Sequence, residues 1–183
     1  MVKAKRSPQA RLAQGDIIRD VDYLESVSER NGELEISRVR FPLIIVLTQD
    51  CDLEQDYRVR WSRDKPDSQD KALLSVLVAP LYNVEHVYAG EHLSQLGLQM
   101  QKITRDKTPG NNLRNNETPR YHYLEFGGLP LPPSVIDFKH YFSVNVCELK
   151  RHKAVGFVCQ IGELFREDVS QRFANFLARI GLP

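Results

Sequence analysis

Apolar residues fall in short, β-branched runs divided by polar stretches, which predicts a sheet-rich domain closed by one clear helix. Residues 1–14 are basic and polar and read as a flexible N-terminal arm. Gly15-Asp16 opens a first strand at Ile17-Ile18-Arg19-Asp20-Val21. Residues 25–35 are polar and contain Asn31-Gly32, a pair that tolerates the positive φ angles of a type I′ hairpin turn. Leu43-Ile44-Ile45-Val46-Leu47 is the most apolar run of the chain. It is short and entered through Pro42, and it predicts a central strand buried on both faces. Leu73 to Ala79 predicts a second buried strand, with Pro80 ending its pairing.

Between and after these strands the pattern weakens. Residues 54–71 carry five acids and five bases together with Pro66, and read as a solvated loop. Leu93, Leu96, Met100 and Ile103 share a helical face, which predicts a helix over 91–103 despite Gly97. Thr108-Pro109-Gly110, Asn111-Asn112, Asn115-Asn116 and Pro119 make 104–120 a loop. Tyr121–Leu124 reads as a strand, Gly127–Pro133 as a turn, and Val135–Val146 as a ragged strand. Val169, Phe173, Phe176, Leu177 and Ile180 then form one apolar stripe of an amphipathic C-terminal helix, with Gly181 as its C′ residue and Pro183 beyond it. One domain over 15–183 is expected, with an insertion at about 82–120.

Composition excludes several classes. Hydrophobic residues make up 42% and charged residues 27%, as in an ordinary globular chain. A net charge of +1 supplies no global field for nucleic acid, so any such binding needs a local patch. Three cysteines, Cys51, Cys147 and Cys159, with no C-x-x-C spacing, argue against a disulfide framework and place the chain in the reducing cytosol. No secretory signal is expected at the basic N-terminus, and no run is long enough to span a membrane.

Candidate chemistry gathers in two places. Thr48-Gln49-Asp50-Cys51-Asp52 leaves the central strand, where a rigid scaffold commonly carries a site. Cys51 as a nucleophile would need a His or Arg nearby, with His122 and His140 as candidates, because the flanking carboxylates oppose a thiolate. A divalent cation on Asp50, Cys51, Asp52 and a histidine is chemically admissible, but no ligand spacing supports it, and neither metal nor cofactor is expected. The alternative is a small core cysteine between two capping carboxylates. Second, Lys102, Arg105, Lys107, Arg114 and Arg120 outweigh Asp106 and Glu117 by three charges beside Asn-Asn pairs and Tyr121-His122-Tyr123. Cations neutralise phosphates, amides read base edges and aromatic faces stack on unpaired bases, so this insertion is the candidate nucleic-acid surface; the alternative is a solvated loop. Phe138, Tyr141, Phe142, Phe173 and Phe176 read as core at their strand and helix spacing. His86, His92 and His152 have no evident partner, and Trp61 sits among Arg58, Arg60 and Arg63, where cation–π stacking is available.

Three segments resemble the MazF/PemK family of toxin ribonucleases: Gly15-Asp16-Ile17 as the opening strand, Arg40-Phe41-Pro42-Leu43-Ile44-Ile45-Val46-Leu47 as the family's Arg-Pro and apolar strand, and Ser134-Val135-Ile136-Asp137 with Val155-Gly156 and the last helix as its closing elements. The resemblance implies a mainly β, α+β chain: an SH3-like barrel with a helical or loop insertion and a C-terminal amphipathic helix. It also implies a homodimer that cleaves RNA without metal and is countered by an antitoxin. Phe41 intervenes between Arg40 and Pro42, and Pro80 is followed by Leu81-Tyr82 where the family places its catalytic Thr. Arg40 therefore carries over as the charge stabiliser, the Thr is lost, and Asp50, Asp52 or His122 is the candidate base. Two other functions stay open: a non-enzymatic interaction module of a prokaryotic defence or stress system, and a Cys51-dependent hydrolase or transferase.

Overall fold

The computed structural model describes residues 1–61, 68–105 and 110–179. Eight strands form one curled, mostly antiparallel sheet, a half-barrel, with five α-helices among the described residues, so the chain is mixed α+β. In chain order the strands are β1 (Ala4–Lys5), β2 (Asp16–Arg30), β3 (Glu33–Val46), β4 (Ser75–Asn83), β5 (Tyr121–Leu124), β6 (Ser134–Asp137), β7 (Phe142–Asn145) and β8 (Phe157–Ile161). Their order across the sheet is β1-β8-β2-β3-β4-β6-β5, with β7 also on β4. The helices are α1 (Asp50–Trp61), α2 (Val84–Ala89), α3 (Gly110–Arg114), α4 (Val146–Gly156) and α5 (Glu163–Leu177).

The expected central strand is the end of a much longer one. Along β3, Ile44 and Val46 face a cluster with Leu53 of α1 and Leu149 of α4, while Ile45 and Leu47 face Phe138, Phe173 and Phe176. Burial on both faces follows from this alternation. β2 and β3 extend together into a hairpin whose turn residues Asn31 and Gly32 have φ of 54° and 80°, as the type I′ reading requires. Pro42 has no N–H to offer; Asp20, across from it, drops out of register and takes a φ of 59°. Gly15, at φ 76°, lets β2 start where an added Cβ would meet Ile161 Cγ1 at 2.6 Å.

Several expectations are corrected. The expected loop of 54–71 is helix α1 through Trp61; its charges sit at i, i+4 as Glu54–Arg58 and Asp56–Arg60 pairs, which support a helix rather than a loop. Buried Asp56 also accepts the Leu73 N–H at 2.7 Å. Pro80 does not end pairing: it lies opposite Ile44, where β4 exchanges β7 for β6 along its other edge. The helix expected over 91–103 is a single 3-10 turn, Ser94–Leu96, between glycines 90 and 97, both at positive φ. Leu93, Leu96, Met100 and Ile103 still pack in one cluster. The expected strand of 135–146 is two strands, β6 and β7, separated by a break after Asp137, and α4 follows at Val146, capped by Asn145 Oδ1 accepting the Cys147 N–H at 3.0 Å. The N-terminal arm is packed: Ala4 and Lys5 pair with β8, and Val2, Leu12 and Ala13 are buried. The apolar stripe of α5 is buried at Val169, Phe173 and Phe176, whereas Leu177 is half exposed. Ile180, Gly181 and Pro183, and the expected loop residues 62–67 and 106–109, lie outside the described residues. No described helix is long and apolar enough to cross a membrane.

Candidate functional site

The expected catalytic residues occupy three separate environments, and among the described residues no hydrogen bond or ion pair joins one environment to another. Arg40 lies on the exposed hairpin and donates to Asp22 from Nε at 2.7 Å. Asp50 opens α1 and is already saturated. It accepts both arms of Arg11, at 3.0 and 2.8 Å, and the Gln14 N–H at 3.1 Å, with Arg166 at 3.4 Å. Burial alone would raise its pKa, but these donors outweigh it and hold the carboxyl below the usual range. Asp50 thus ties the N-terminal segment and α5 to the start of α1. Cys51 and Asp52 are exposed beside it, with Cys51 Sγ 3.7 Å from both Gln49 Oε1 and Asp52 Oδ1 and no histidine in contact. The capping reading therefore fits Asp50, while Cys51 is a surface thiol rather than a core one.

His122 is buried on β5 against Phe138, with Nδ1 unpartnered and Nε2 4.0 Å from Asp168. Burial, aided by the Arg172 charge, pushes its pKa down to about 3. Among the expected nucleic-acid ligands, Lys102 and Arg114 are exposed, and Arg105 is paired with Glu85 and stacked over Tyr88. Arg120 turns inward onto Asp137, and Lys107 lies outside the described residues. Trp61 stacks under Lys150, at 4.5 Å, while Arg58 and Arg60 pair with Glu54 and Asp56, and Arg63 lies outside the described residues.

The densest polar chemistry is elsewhere, where β4, β5 and β6 meet. Register sets it: Tyr121 pairs with Asp137 and the Phe138 N–H donates to the Arg120 carbonyl, so Arg120 arrives beside the end of β6. Its guanidinium grips Asp137 with Nε at 2.9 and 3.0 Å and Nη2 at 2.5 Å. Asp137 Oδ1 also accepts the Lys139 N–H at 3.0 Å, an Asx turn that swings His140 back. His140 Nδ1 lies 3.4 Å from Asp137 Oδ2 and 3.3 Å from the Tyr82 hydroxyl. His92, from the segment after α2, places Nε2 3.9 Å from the same Oδ2.

The electrostatics follow from enclosure. Burial would raise the Asp137 pKa, yet the imidazoles, Arg120 and the Lys139 N–H hold it well below the carboxylate range. Burial depresses His140 against the pull of Asp137, and burial together with Asp137 raises Tyr82. His92 has a 1% exposed side chain and neither ring nitrogen bonded, an arrangement that ordinarily costs a few kcal/mol per lost partner, on the order of 1–3. Two hollows flank the group. One, of about 320 Å³, has His92 and His86 on its wall; the other, of about 250 Å³, is lined by Tyr23, Phe41, Tyr82, Tyr141 and Phe142 with Lys139 and His140.

Sequence reasoning missed this grouping. Asp137-Phe138-Lys139-His140 at a strand end was a local signal, but His92 lies far away in the chain and only the fold brings it in. The chain matches no protein-family model and no curated protein.

Proposed function

We propose that this protein binds single-stranded RNA, as a divergent barrel of MazF/PemK type. The observation that carries the reading is the aromatic hollow beside His140. Tyr141 is 41% exposed and braced edge-on against Phe173 at 5.3 Å. Phe142 packs on Tyr23 at 5.3 Å and on Phe41 at 5.5 Å, so the walls are rigid before any ligand arrives. An unpaired base has an apolar face to stack there, and the exposed Lys139 stands next to it for a phosphate. The opening Gly15-Asp16 at β2, the curled antiparallel sheet and the closing α5 support the family type.

Catalysis through Arg40, Asp50 and His122 is not favoured, because Arg40 and Asp50 are spoken for by ion pairs and His122 is shut away from solvent. The test is titration of a fluorescent single-stranded RNA at low salt, with the same mixtures run on a denaturing gel for cleavage. Base stacking contributes about 1–3 kcal/mol by alanine substitution, so Tyr141→Ala should weaken binding roughly 5- to 150-fold. No binding by the native chain, or full binding by the folded Tyr141→Ala variant, rejects the reading.

A second reading, a non-enzymatic interaction module, draws on the hairpin. Leu24, Val27, Leu34 and Ile36 are each more than half exposed and share one of its faces by register. Loss of a cellular phenotype on Ile36→Glu but not on Tyr141→Ala would favour that reading over RNA binding.

A further inference from the structure

The geometry points to a transition-metal site formed by His92, Asp137 and His140, and we propose that the chain binds one divalent ion of the zinc or cobalt kind there. Three donor atoms, His92 Nε2, Asp137 Oδ2 and His140 Nδ1, lie within 4.8 Å of one another. Two of the separations are 3.4 and 3.9 Å. Donors about 2.0–2.2 Å from a tetrahedral ion stand a little over 3 Å apart, so the hollow needs only a modest contraction. His92 can supply it: its buried ring makes no hydrogen bond that would resist turning toward Oδ2. That unsatisfied ring is an independent sign of a missing partner, since a buried imidazole with both nitrogens idle is destabilising without one.

The surroundings resemble the outer shell of a metal centre. Arg120 and the Lys139 N–H fix the orientation of the Asp137 carboxylate, leaving a lone pair of Oδ2 toward the two rings. Tyr82 Oη, 3.3 Å from His140 Nδ1, or a water can take the fourth position. Two imidazoles and one carboxylate suit zinc, cobalt or nickel, whereas magnesium and calcium call for more oxygen. The Arg120 charge opposes the ion, so moderate affinity is expected. The site shares no ligand with the Asp50-Cys51-Asp52 segment, and its test needs no RNA.

The full chain, stripped with chelator and freed of it, would be titrated with Co²⁺ alone while recording visible absorption. One equivalent should bind, with the intense d–d bands of a four- or five-coordinate ion. His92→Phe keeps a ring against Tyr82, now at 4.8 Å, and His140→Ala removes a second ligand. Each should weaken binding at least about 10-fold with the native circular dichroism retained. His86→Ala and Cys51→Ser, both exposed, should change nothing. Absence of a stoichiometric signal, its persistence in folded His92→Phe, or its loss in Cys51→Ser would overturn the assignment. Should His140→Ala fail to fold, His92→Phe alone decides.

Discussion

His122 makes the stability of this protein depend on pH in a way that can be calculated. Its folded pKa is held at about 3, against 6.5 for a free imidazole. The unfolded chain therefore takes up a proton that the folded chain refuses, and stability falls as pH drops below 6.5, levelling only near 3. Each unit in that window costs about 1.4 kcal/mol, so going from pH 7.5 to 4.5 removes about 2.7 kcal/mol through this one side chain. His140, also depressed by burial, acts with the same sign. Asp16, raised chiefly by burial, acts with the opposite sign in the acid range. Both persist in a His122→Leu variant, which keeps an apolar side chain of similar size against Phe138, so the difference between the two proteins isolates His122. Urea denaturation at the two pH values, followed by circular dichroism, should show the variant losing about 2–3 kcal/mol less on acidification. Equal losses in both proteins would mean that the imidazole is reached by water, and the buried assignment would fall.

Three further substitutions probe the supports of the sheet. Lys153→Met leaves Asp16 buried without its 2.7 Å partner and should destabilise by about 3–5 kcal/mol at neutral pH, with part recovered on moderate acidification as Asp16 takes a proton; a flat response to pH would contradict this. Asp50→Ala releases Arg11, the Gln14 N–H and Arg166 together and should cost about 1–2 kcal/mol, given its partial exposure, whereas Cys51→Ser should stay within about 0.5 kcal/mol; the reverse order in a thermal melt would restore Cys51 as the important residue of the segment.

What could be read from the chain depended on whether a residue's neighbours were local. The strand at Leu43–Leu47, the Asn31-Gly32 turn and the stripe of α5 announce themselves because their patterns are set by backbone period alone. The length of the two strands that flank that turn, beyond Val21 and before Phe41, carried no such signal, since strand residues that project from the core are not held to one buried face. Helix α1 lacks an apolar stripe because it buries little apolar surface, Leu53 in its first turn, and is held by i, i+4 ion pairs and by Asp56. Helix α4 was hidden by its short apolar face, Val146 and Leu149, running straight on from strand residues. The polar group around Asp137 was beyond reach for a different reason. Its members come from four segments, brought together by the β4–β6–β5 register and by the segment after α2 that carries His92.

That register also recasts the role of basic charge. Read along the chain, Arg120 is one of several cations available to phosphate; folded, its charge is balanced by Asp137 in a two-armed bond whose geometry outweighs the opposing effect of burial. Within the cluster Asp137 cancels the Arg120 charge, so that pair offers little direct attraction to a phosphodiester. Attraction must come from groups at its rim, of which Lys139 is exposed and adjacent to the aromatic wall. A dication on His92, Asp137 and His140 would change this balance, turning a neutral hollow into a positive one a few ångströms from where a stacked base would lie. The proposed RNA and metal sites are therefore separable in their tests yet coupled in their physics. The residue that couples them is Asp137, which answers to Arg120 on one side and to the imidazoles of His92 and His140 on the other.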